Sequence, residues 1–251
     1  MYPPESIQEY GSFRDDLSEK PAVYMKEWND PFGEDHRLKT PSVYDWSQWQ
    51  RILRYVYAHV TQIDAAGGKV LDALDRLGLA EDTIVIWTTD HGDPISAHGG
   101  HFGKESFLSE ESIRIPMAMR WPARIAPGQR TDALVSNMDV PATLLEAAGT
   151  DFEGPVDADS VLNLFDERGR VTPATEEEWR DDIVVETHGH HWEKVVGRAL
   201  ITDRYHYAAY HFLERPDFVR DGDIAEEMVE LYDLAADPYQ LTNLAADPAL
   251  G

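Results

Sequence analysis

The sequence contains no cysteine among its 251 residues. Disulfide bonds, thiolate metal ligands and a cysteine nucleophile are therefore excluded, and the redox compartment cannot be inferred from the chain. The sequence also has no apolar run long enough to span a bilayer, and its start shows no charged-then-apolar secretion pattern. We therefore expect no membrane as partner and assign a cytoplasmic location by default.

Basic residues are scarce: 22 Lys and Arg stand against 47 Asp and Glu, for a formal charge of −25. Nucleic acids and anionic membranes require basic surfaces, so neither is expected as a partner. The acids are spread along the chain, which favours a solvated acidic surface of the halophilic, salt-adapted kind over a docking face for cations.

The chain changes in pattern near residue 150, so we predict one part over 1–150 and a second over 151–251. Residues 1–45 carry frequent turn signals and no sustained period, which is typical of a long wrapping segment. From Trp46 to Gly78, apolar residues recur at intervals of three and four. This spacing predicts a long helix, with Gly67-Gly68 as a point of interruption.

The run TIVIWTT, residues 83–89, is apolar and β-branched, as expected of a strand covered on both faces. A helix that leads into such a strand predicts a doubly wound α/β sheet. A second strand is predicted at 116–121 and a helix near 139–148, with Pro141 in its first turn and Gly149 past its end.

Beyond residue 150 the chain is first acidic and loop-like and then alternates in the manner of strands. We predict a small antiparallel subdomain that closes the chain. Its strands are expected at 183–186, 199–202, 205–210 and 230–234.

Asp90 and His91 directly follow the predicted strand 83–89, at the end where open α/β sheets place ligands and metals. A carboxylate oxygen and an imidazole nitrogen can both reach one divalent cation. A structural alternative is equally consistent with the pattern: Asp90 caps a turn and His91 packs as a hydrogen-bonded side chain.

A glycine-rich loop follows, with Gly92, Gly99, Gly100 and Gly103 before Lys104. Glycines allow backbone to approach an anion, and a lysine supplies a point charge for a tetrahedral oxyanion. The alternative for Lys104 is a solvated surface side chain.

The histidines of this region have several possible roles. His98 and His101 are candidates for metal ligands, substrate donors or general acids, and loop packing explains each equally well. The later group His188, His190 and His191 follows a predicted strand and either projects into the same cleft or lies on the surface.

Read together, these segments resemble the C-terminal half of a sulfatase of the arylsulfatase type, within the alkaline-phosphatase-like superfamily. The run IDAAGGKVLDALDRLGLAEDTIVIWTTDHGD, residues 63–93, resembles a helix and strand that end in the family's SDHGD. His98-Gly99, Lys104, EESIRIP at 110–116, the segment 135–149 and ELYDLAADPYQLTNLA at 230–245 follow in the family's order. The resemblance implies an α/β protein: the C-terminal part of a doubly wound alkaline-phosphatase-like sheet, followed by a small antiparallel α+β subdomain.

The resemblance also implies roles for individual residues. Asp90 and His91 would bind a divalent cation, with Ca²⁺ expected first and Mg²⁺ or Mn²⁺ as alternatives. Lys104 would contact the oxygens of a sulfate ester substrate, although one extra residue separates it from the HG pair. For the complete enzyme we also expect His98 to protonate the leaving alcohol, and His101 and His190 are candidates for contact with the substrate.

The chain departs from the family in one decisive respect: it contains no C/S-x-P/A-x-R motif, so the formylglycine nucleophile is absent. The family's acidic metal ligands near the N-terminus and its PHxP histidine are also missing. We therefore expect a fragment, truncated form or half of a split enzyme, inactive alone and partnered by the missing N-terminal half. The alternatives are a phosphonate or phosphodiester hydrolase of the same superfamily and a non-catalytic binding or assembly module.

Overall fold

The computed structural model describes residues 2–25, 44–102, 107–188, 195–213 and 228–247. Contacts divide the chain into two compact units. Unit 1 comprises Met1–Gly68, His91–Ile115 and Val184–Gly251, and unit 2 comprises Lys69–Asp90 and Pro116–Ile183. Neither unit has an edge at the predicted boundary near residue 150.

The helices in the described residues are α1 (Trp46–Leu77), α2 (Glu110–Ile113), α3 (Asp139–Ala147) and α4 (Pro173–Glu177). The strands are β1 (Val85–Trp87), β2 (Ala118–Arg120), β3 (Asp182–His188), β4 (Val195–Thr202), β5 (Tyr205–Phe212) and β6 (Met228–Asp233). Short 3-10 helices lie at Pro4–Ser6, Ala22–Met25, Val161–Leu164 and Leu244–Ala246.

Helix α1 confirms the predicted long helix and runs without a break through Gly67-Gly68. It ends at Gly78, whose φ of +68° is readily adopted only by glycine. The amide of Leu79 then donates to the carbonyl of Leu74 at 3.0 Å, which satisfies an orphan carbonyl of the last turn. None of the helices in the described ranges is long and apolar enough to cross a membrane.

Strand β1 lies at the predicted place, but the prediction that both its faces are covered is wrong. It pairs antiparallel with β2 in a two-stranded sheet, with Ile86 opposite Met119. Val85 and Ile86 are half-buried and Trp87 is 45% exposed. The physical reason is that two strands alone, in the described part of the chain, provide too few neighbours to cover both faces.

The four predicted C-terminal strands are confirmed as an antiparallel sheet in the order β3-β4-β5-β6. Burial alternates along β4 and β5, so one face packs inward and the other is exposed. The buried face carries Ala199, Ala208, Tyr210 and Tyr232. Residues 2–25 belong to unit 1 as well, and their Leu17 and Tyr24 are fully buried, whereas residues 26–43 of the predicted wrapping segment lie outside the described residues.

Unit 2 has its own small core around α3 and the 3-10 helix Val161–Leu164. Asp139 is fully buried at the start of α3, and both of its carboxylate oxygens accept from Arg180, at 2.8 and 2.9 Å. Thr143 accepts the amide of Val161 at 2.8 Å. A charge pair and a hydroxyl thus join the helix to the chain that follows it.

Candidate functional site

Asp90 lies just beyond β1 in unit 2, as an exposed residue. The hydroxyl of Thr89 donates to Asp90 Oδ1 at 3.1 Å. The side-chain amide of Asn137 donates to the carbonyl of Thr89 at 2.9 Å and so fixes the backbone at the strand end. Sequence reasoning missed Asn137, whose only signal is its place in the polar stretch before α3.

His91 opens a segment of unit 1, and its ring is half-buried. Its Nδ1 lies 2.7 Å from the carbonyl oxygen of Gly92. Because a carbonyl only accepts, Nδ1 carries the hydrogen, and in the neutral ring Nε2 is then the nitrogen with the lone pair. Metal-binding histidines commonly donate their other nitrogen to a backbone carbonyl in this way.

Gly92 lies tightly against helix α2. Its amide donates to the carbonyl of Ser112 at 2.8 Å. A Cβ at this position would lie 2.0 Å from the carbonyl oxygen of Glu111, so no larger residue fits without movement. Gly92 belongs to the loop that was predicted to bind an anion. The structure shows a different reason for a glycine at this position, which is the close approach to α2.

The donor set of Asp90 and His91 fits a divalent cation in kind. One carboxylate oxygen suits Ca²⁺, Mg²⁺ or Mn²⁺, and one imidazole nitrogen is compatible with Mn²⁺ or Zn²⁺. Within the described ranges, no three His, Cys, Asp or Glu side chains come together as a metal site. The role of Asp90 and His91 as metal ligands stays a prediction, and two side chains alone are fewer donors than a divalent cation takes.

His98 is fully buried in unit 1, with a carboxylate at each ring nitrogen. Its Nδ1 lies 3.2 Å from Asp15 Oδ2 and its Nε2 lies 3.0 Å from Glu111 Oε2. Burial by itself would lower the pKa of His98, but the hydrogen bonds to Asp15 and Glu111 outweigh it and raise the pKa. Burial opposes ionisation of Glu111 too, yet the bond from His98 lowers the pKa of Glu111 to about 2.

These contacts favour a charged imidazolium that ties three segments of unit 1 together. The role of His98 in protonating a leaving group stays a prediction, and the arrangement does not favour it because both nitrogens already serve carboxylates. Sequence reasoning missed Asp15 and Glu111 as its partners. A residue 83 positions away along the chain leaves no local signal.

His101 is also buried, between two backbone carbonyls. Its Nδ1 lies 2.6 Å from the carbonyl oxygen of His98 and its Nε2 lies 2.9 Å from that of Tyr24. Burial lowers the pKa of His101 to about 4, so the ring is neutral and only one carbonyl receives its hydrogen. Its role in substrate contact stays a prediction, and its burial instead supports packing of the loop.

The glycine loop turns as predicted, with φ of +74° at Gly99 and +91° at Gly100. Its amides donate within the protein: Gly99 to the carbonyl of Ser12 at 3.1 Å, and Gly100 to that of Ala97 at 3.0 Å. Lys104, predicted to contact sulfate, and His190, predicted to contact substrate, lie outside the described residues. Gly103 and His191 lie outside them as well.

Two family models match the chain. The Sulfatase model matches residues 1–150, and the model of the C-terminal region of N-sulphoglucosamine sulphohydrolase matches residues 97–250. Each covers more than half of the 251 residues. The two matches overlap over residues 97–150, a range that contains α2, β2 and α3.

Individual relatives agree with these matches. The N-acetylglucosamine-6-O-sulfatase of Bacteroides thetaiotaomicron is 26% identical over 231 residues, which are 87% of this chain and 37% of the relative. A solved 2-O GAG sulfatase has a TM-score of 0.77 at 20% identity. The match covers 97% of this chain and 48% of the chain of that sulfatase. The solved phosphonate monoester hydrolase of Agrobacterium radiobacter has a TM-score of 0.72 at 21% identity, over 99% of this chain and 49% of its own.

The chain spans less than half the length of each of these proteins. The two structural likenesses, at about a fifth identity, establish the fold and confirm the predicted α/β class of the alkaline-phosphatase-like type. With both family models matched along most of its length, the chain belongs to the sulfatase family of the alkaline-phosphatase-like superfamily and corresponds to that family's C-terminal region.

Proposed function

We propose that this chain is the C-terminal part of a sulfuric ester hydrolase that cleaves a sulfate monoester of a saccharide. The observation that carries the proposal is the pair of sulfatase-family matches, which together run over residues 1–250 and contain Asp90-His91 directly after β1. The names of its relatives, an N-acetylglucosamine-6-O-sulfatase and a 2-O GAG sulfatase, support a sulfated sugar as the substrate class. Hydrolysis breaks the ester S–O bond, gives a proton to the alcohol and releases sulfate.

Asp90 and His91 would hold a divalent cation, Ca²⁺ first, by a carboxylate oxygen and by Nε2. The contact between His91 Nδ1 and the Gly92 carbonyl supports this because it selects the tautomer that presents Nε2. When bound, such a cation supplies Lewis-acid stabilisation of the charge on the sulfate oxygens. Lys104 would add a second positive charge against the same oxygens.

The nucleophile would come from a partner: a sulfatase N-terminal half that carries the C/S-x-P/A-x-R motif. Exposed apolar side chains support such a partner. In unit 1, α1 leaves Val60 and Ile63 exposed, although its first turns bury Trp49. In unit 2, Trp87 on β1 is exposed too. Apolar surface of this kind commonly marks an interaction site.

The test is hydrolysis of a chromogenic aryl sulfate by this chain alone and after co-expression with the N-terminal half. We expect activity in the combination and none with either part alone. Asp90→Asn should lower that activity about a hundredfold or more, since it removes a charged metal ligand. Asp82→Asn, in the exposed loop before β1, is the matched control and should leave it unchanged.

Parallel assays separate the rival functions. Faster turnover of an aryl phosphonate monoester than of the sulfate by the combination would favour the phosphonate hydrolase. No turnover of either, with both parts folded and associated, would favour a binding module. Activity of this chain alone would show that the assignment of the nucleophile to a partner is wrong.

A further inference from the structure

A groove of about 650 Å³ lies on the C-terminal sheet, among strands β3, β4 and β5. The volume falls in the range of small-ligand sites. Gly197, in the middle of β4, lies against the side chains of Tyr210 and Thr187 on the opposite, buried face of the sheet. A Cβ on it would lie 2.7 Å from the ring of Tyr210 and 3.0 Å from the methyl group of Thr187.

The lining of the groove combines an apolar floor with a polar rim. Val196 and Ala209 are half-buried and provide the floor. His188, Arg198 and His211 are exposed and provide nitrogen donors around it. An apolar base with a few convergent polar groups is the usual composition of a ligand site.

The strand register leaves room beside the arginine. Arg198 on β4 is directly opposite Ala209 on β5, and Val196 is directly opposite His211. The neighbour of Arg198 on β5 therefore carries only a methyl group, whereas on the other side Glu186 of β3 contacts the guanidinium. Cross-strand neighbours of this kind lie roughly 5 Å apart.

Nitrogen-bearing side chains distinguish this groove in a chain with few basic residues. The chain has 22 Lys and Arg against 47 Asp and Glu, whereas here one arginine and two histidines lie beside a single carboxylate, that of Glu186. Within the groove, Glu186 Oε1 accepts from Arg198 Nε at 2.5 Å. That carboxylate occupies the arginine as an anionic ligand would.

A second arginine of the same sheet provides a comparison. Arg204, in the β4–β5 turn, is held by both carboxylate oxygens of Asp233, through Nε at 3.0 Å and a terminal nitrogen at 2.6 Å. Arg204 does not line the groove. Arg204 thus forms a surface ion pair with two hydrogen bonds, whereas the bond from Arg198 to Glu186 is donated by Nε.

We propose that this groove binds an anionic substituent, a sulfate or a carboxylate, on the saccharide that the enzyme acts on. Arg198 pairs with the anion, His188 and His211 donate hydrogen bonds, and the sugar ring lies over Val196 and Ala209. Glu186 competes with the ligand for Arg198. The saccharide part of the proposal rests on the proposed function, whereas the anion part rests on the groove.

The test is a calorimetric titration of this chain with three probes: a sulfated heparin disaccharide, an unsulfated disaccharide with one uronic acid, and uncharged chitobiose. We expect binding of the charged probes and none of chitobiose. The tighter of the two charged probes identifies sulfate or carboxylate as the preferred anion. Equal binding of chitobiose would overturn the proposal.

Variants test whether the anion binds at Arg198 and whether Glu186 competes with it. Arg198→Gln should weaken binding about tenfold, since it removes a charge-assisted pair, and Glu186→Gln should tighten it about threefold. Arg204→Gln, the matched control, should change it less than about twofold. Unchanged binding by Arg198→Gln, or weaker binding by Glu186→Gln, would overturn the assignment.

Two further measurements test whether the variants are folded and where the anion binds. Far-UV circular dichroism and thermal melting check that each variant is folded, which is expected because these side chains are exposed. Addition of EDTA, which removes divalent cations, should leave the binding of the charged probes unchanged. Loss of binding on addition of EDTA would show that the anion binds at the proposed metal centre and not in the groove. Since none of these titrations requires turnover, their failure is distinguishable from failure of the proposed hydrolase.

Discussion

His98 and Glu111 form a buried ion pair, with 3.0 Å between Nε2 of the imidazole and Oε2 of the carboxylate. The carboxylate of Asp15 lies 3.2 Å from the other ring nitrogen. Ionised carboxylates only accept hydrogen bonds, so both contacts require hydrogen on the ring nitrogens. His98 is therefore a charged tie between the N-terminal segment and helix α2.

This pair predicts a pH dependence of stability. The pKa of His98 is raised above its ordinary 6.5, so its contribution is fully present below about pH 6.5 and is lost as the pH rises through the raised value. The pKa of Glu111 is lowered from 4.5 to about 2, so its contribution is present above about pH 4.5 and is lost as the pH falls toward 2. The pair should stabilise unit 1 most between these limits.

The measurement is urea unfolding at pH 5.5 and pH 8.5 for the unmodified chain and for His98→Gln. The unmodified chain should lose more free energy of unfolding at the higher pH than the variant does. His59→Gln, at an exposed position on α1, is the matched control and should keep the dependence of the unmodified chain. Identical pH dependence in all three proteins would refute the charged-imidazole assignment. Lys20, whose charge acts against protonation of His98, should be kept constant in these comparisons.

The contacts of a second buried carboxylate, Glu230 on β6, predict that removal of the Tyr210 hydroxyl destabilises the protein. Tyr210 donates to Glu230 at 2.5 Å, and the same hydroxyl accepts the amide of Leu108 at 2.8 Å. Tyr210→Phe leaves that amide unpaired and removes a bond to a charge, so we expect about 2 to 4 kcal/mol of destabilisation. Tyr207→Phe, on the exposed face of the same strand, should change the free energy of unfolding by less than about 0.5 kcal/mol. Chemical denaturation of both variants checks the difference, and equal values would contradict it.

The sequence predicted those elements whose signal is local. Apolar spacing up to Gly78 predicts helix α1, and the strand-like pattern beyond residue 150 predicts the C-terminal strands. Both patterns arise from the periods of helices and strands and need no knowledge of distant residues. The family resemblance likewise rests on short motifs, each made of residues close together in the chain, that follow one another in the family's order.

The burial of β1 and the surroundings of His98 could not be predicted in the same way. Whether Trp87 is covered depends on which strands and helices lie beside it, and a run of apolar residues does not specify them. The partners of His98 lie 83 residues before it and 13 after it, in segments that meet only in the folded chain. The same holds for the bond between Lys20 and Tyr232, which are 212 positions apart.

In unit 2, the pair of Asp139 and Arg180 predicts that replacement of Asp139 strongly lowers the free energy of unfolding. Asp139 is fully buried and accepts two bonds from the guanidinium. It also accepts the amides of Ser136 at 2.7 Å and Asp159 at 3.0 Å. Asp139→Ala leaves the two amides without their acceptor and leaves Arg180 with Asp159 as its remaining carboxylate, so we expect roughly 2 to 4 kcal/mol of destabilisation.

The control for Asp139 is Asp157→Ala, an exposed acid in the loop after α3. It should change the free energy of unfolding by less than about 0.5 kcal/mol. Hydrogen exchange provides a second readout: Asp139→Ala should speed exchange of the α3 amides. Unchanged exchange of those amides, together with unchanged stability, would show that the pair does not hold the helix in place.

The close approach of Gly92 to α2 predicts that this glycine cannot be replaced even by alanine. An added Cβ would lie 2.0 Å from the carbonyl oxygen of Glu111, a backbone atom that cannot rotate away. Relief of the clash requires a shift of α2 or of the loop, and we expect about 1 to 3 kcal/mol of destabilisation for Gly92→Ala.

Gly68→Ala tests the same chemical change within α1, where a Cβ meets nothing within 4 Å. Alanine is the better helix former by about 1 kcal/mol, so this control should be neutral or stabilising. Thermal unfolding of the two variants should therefore move the midpoint in opposite directions, or lower it for Gly92→Ala alone. If Gly92→Ala melts like the unmodified chain, the loop and α2 are farther apart than their hydrogen bond indicates.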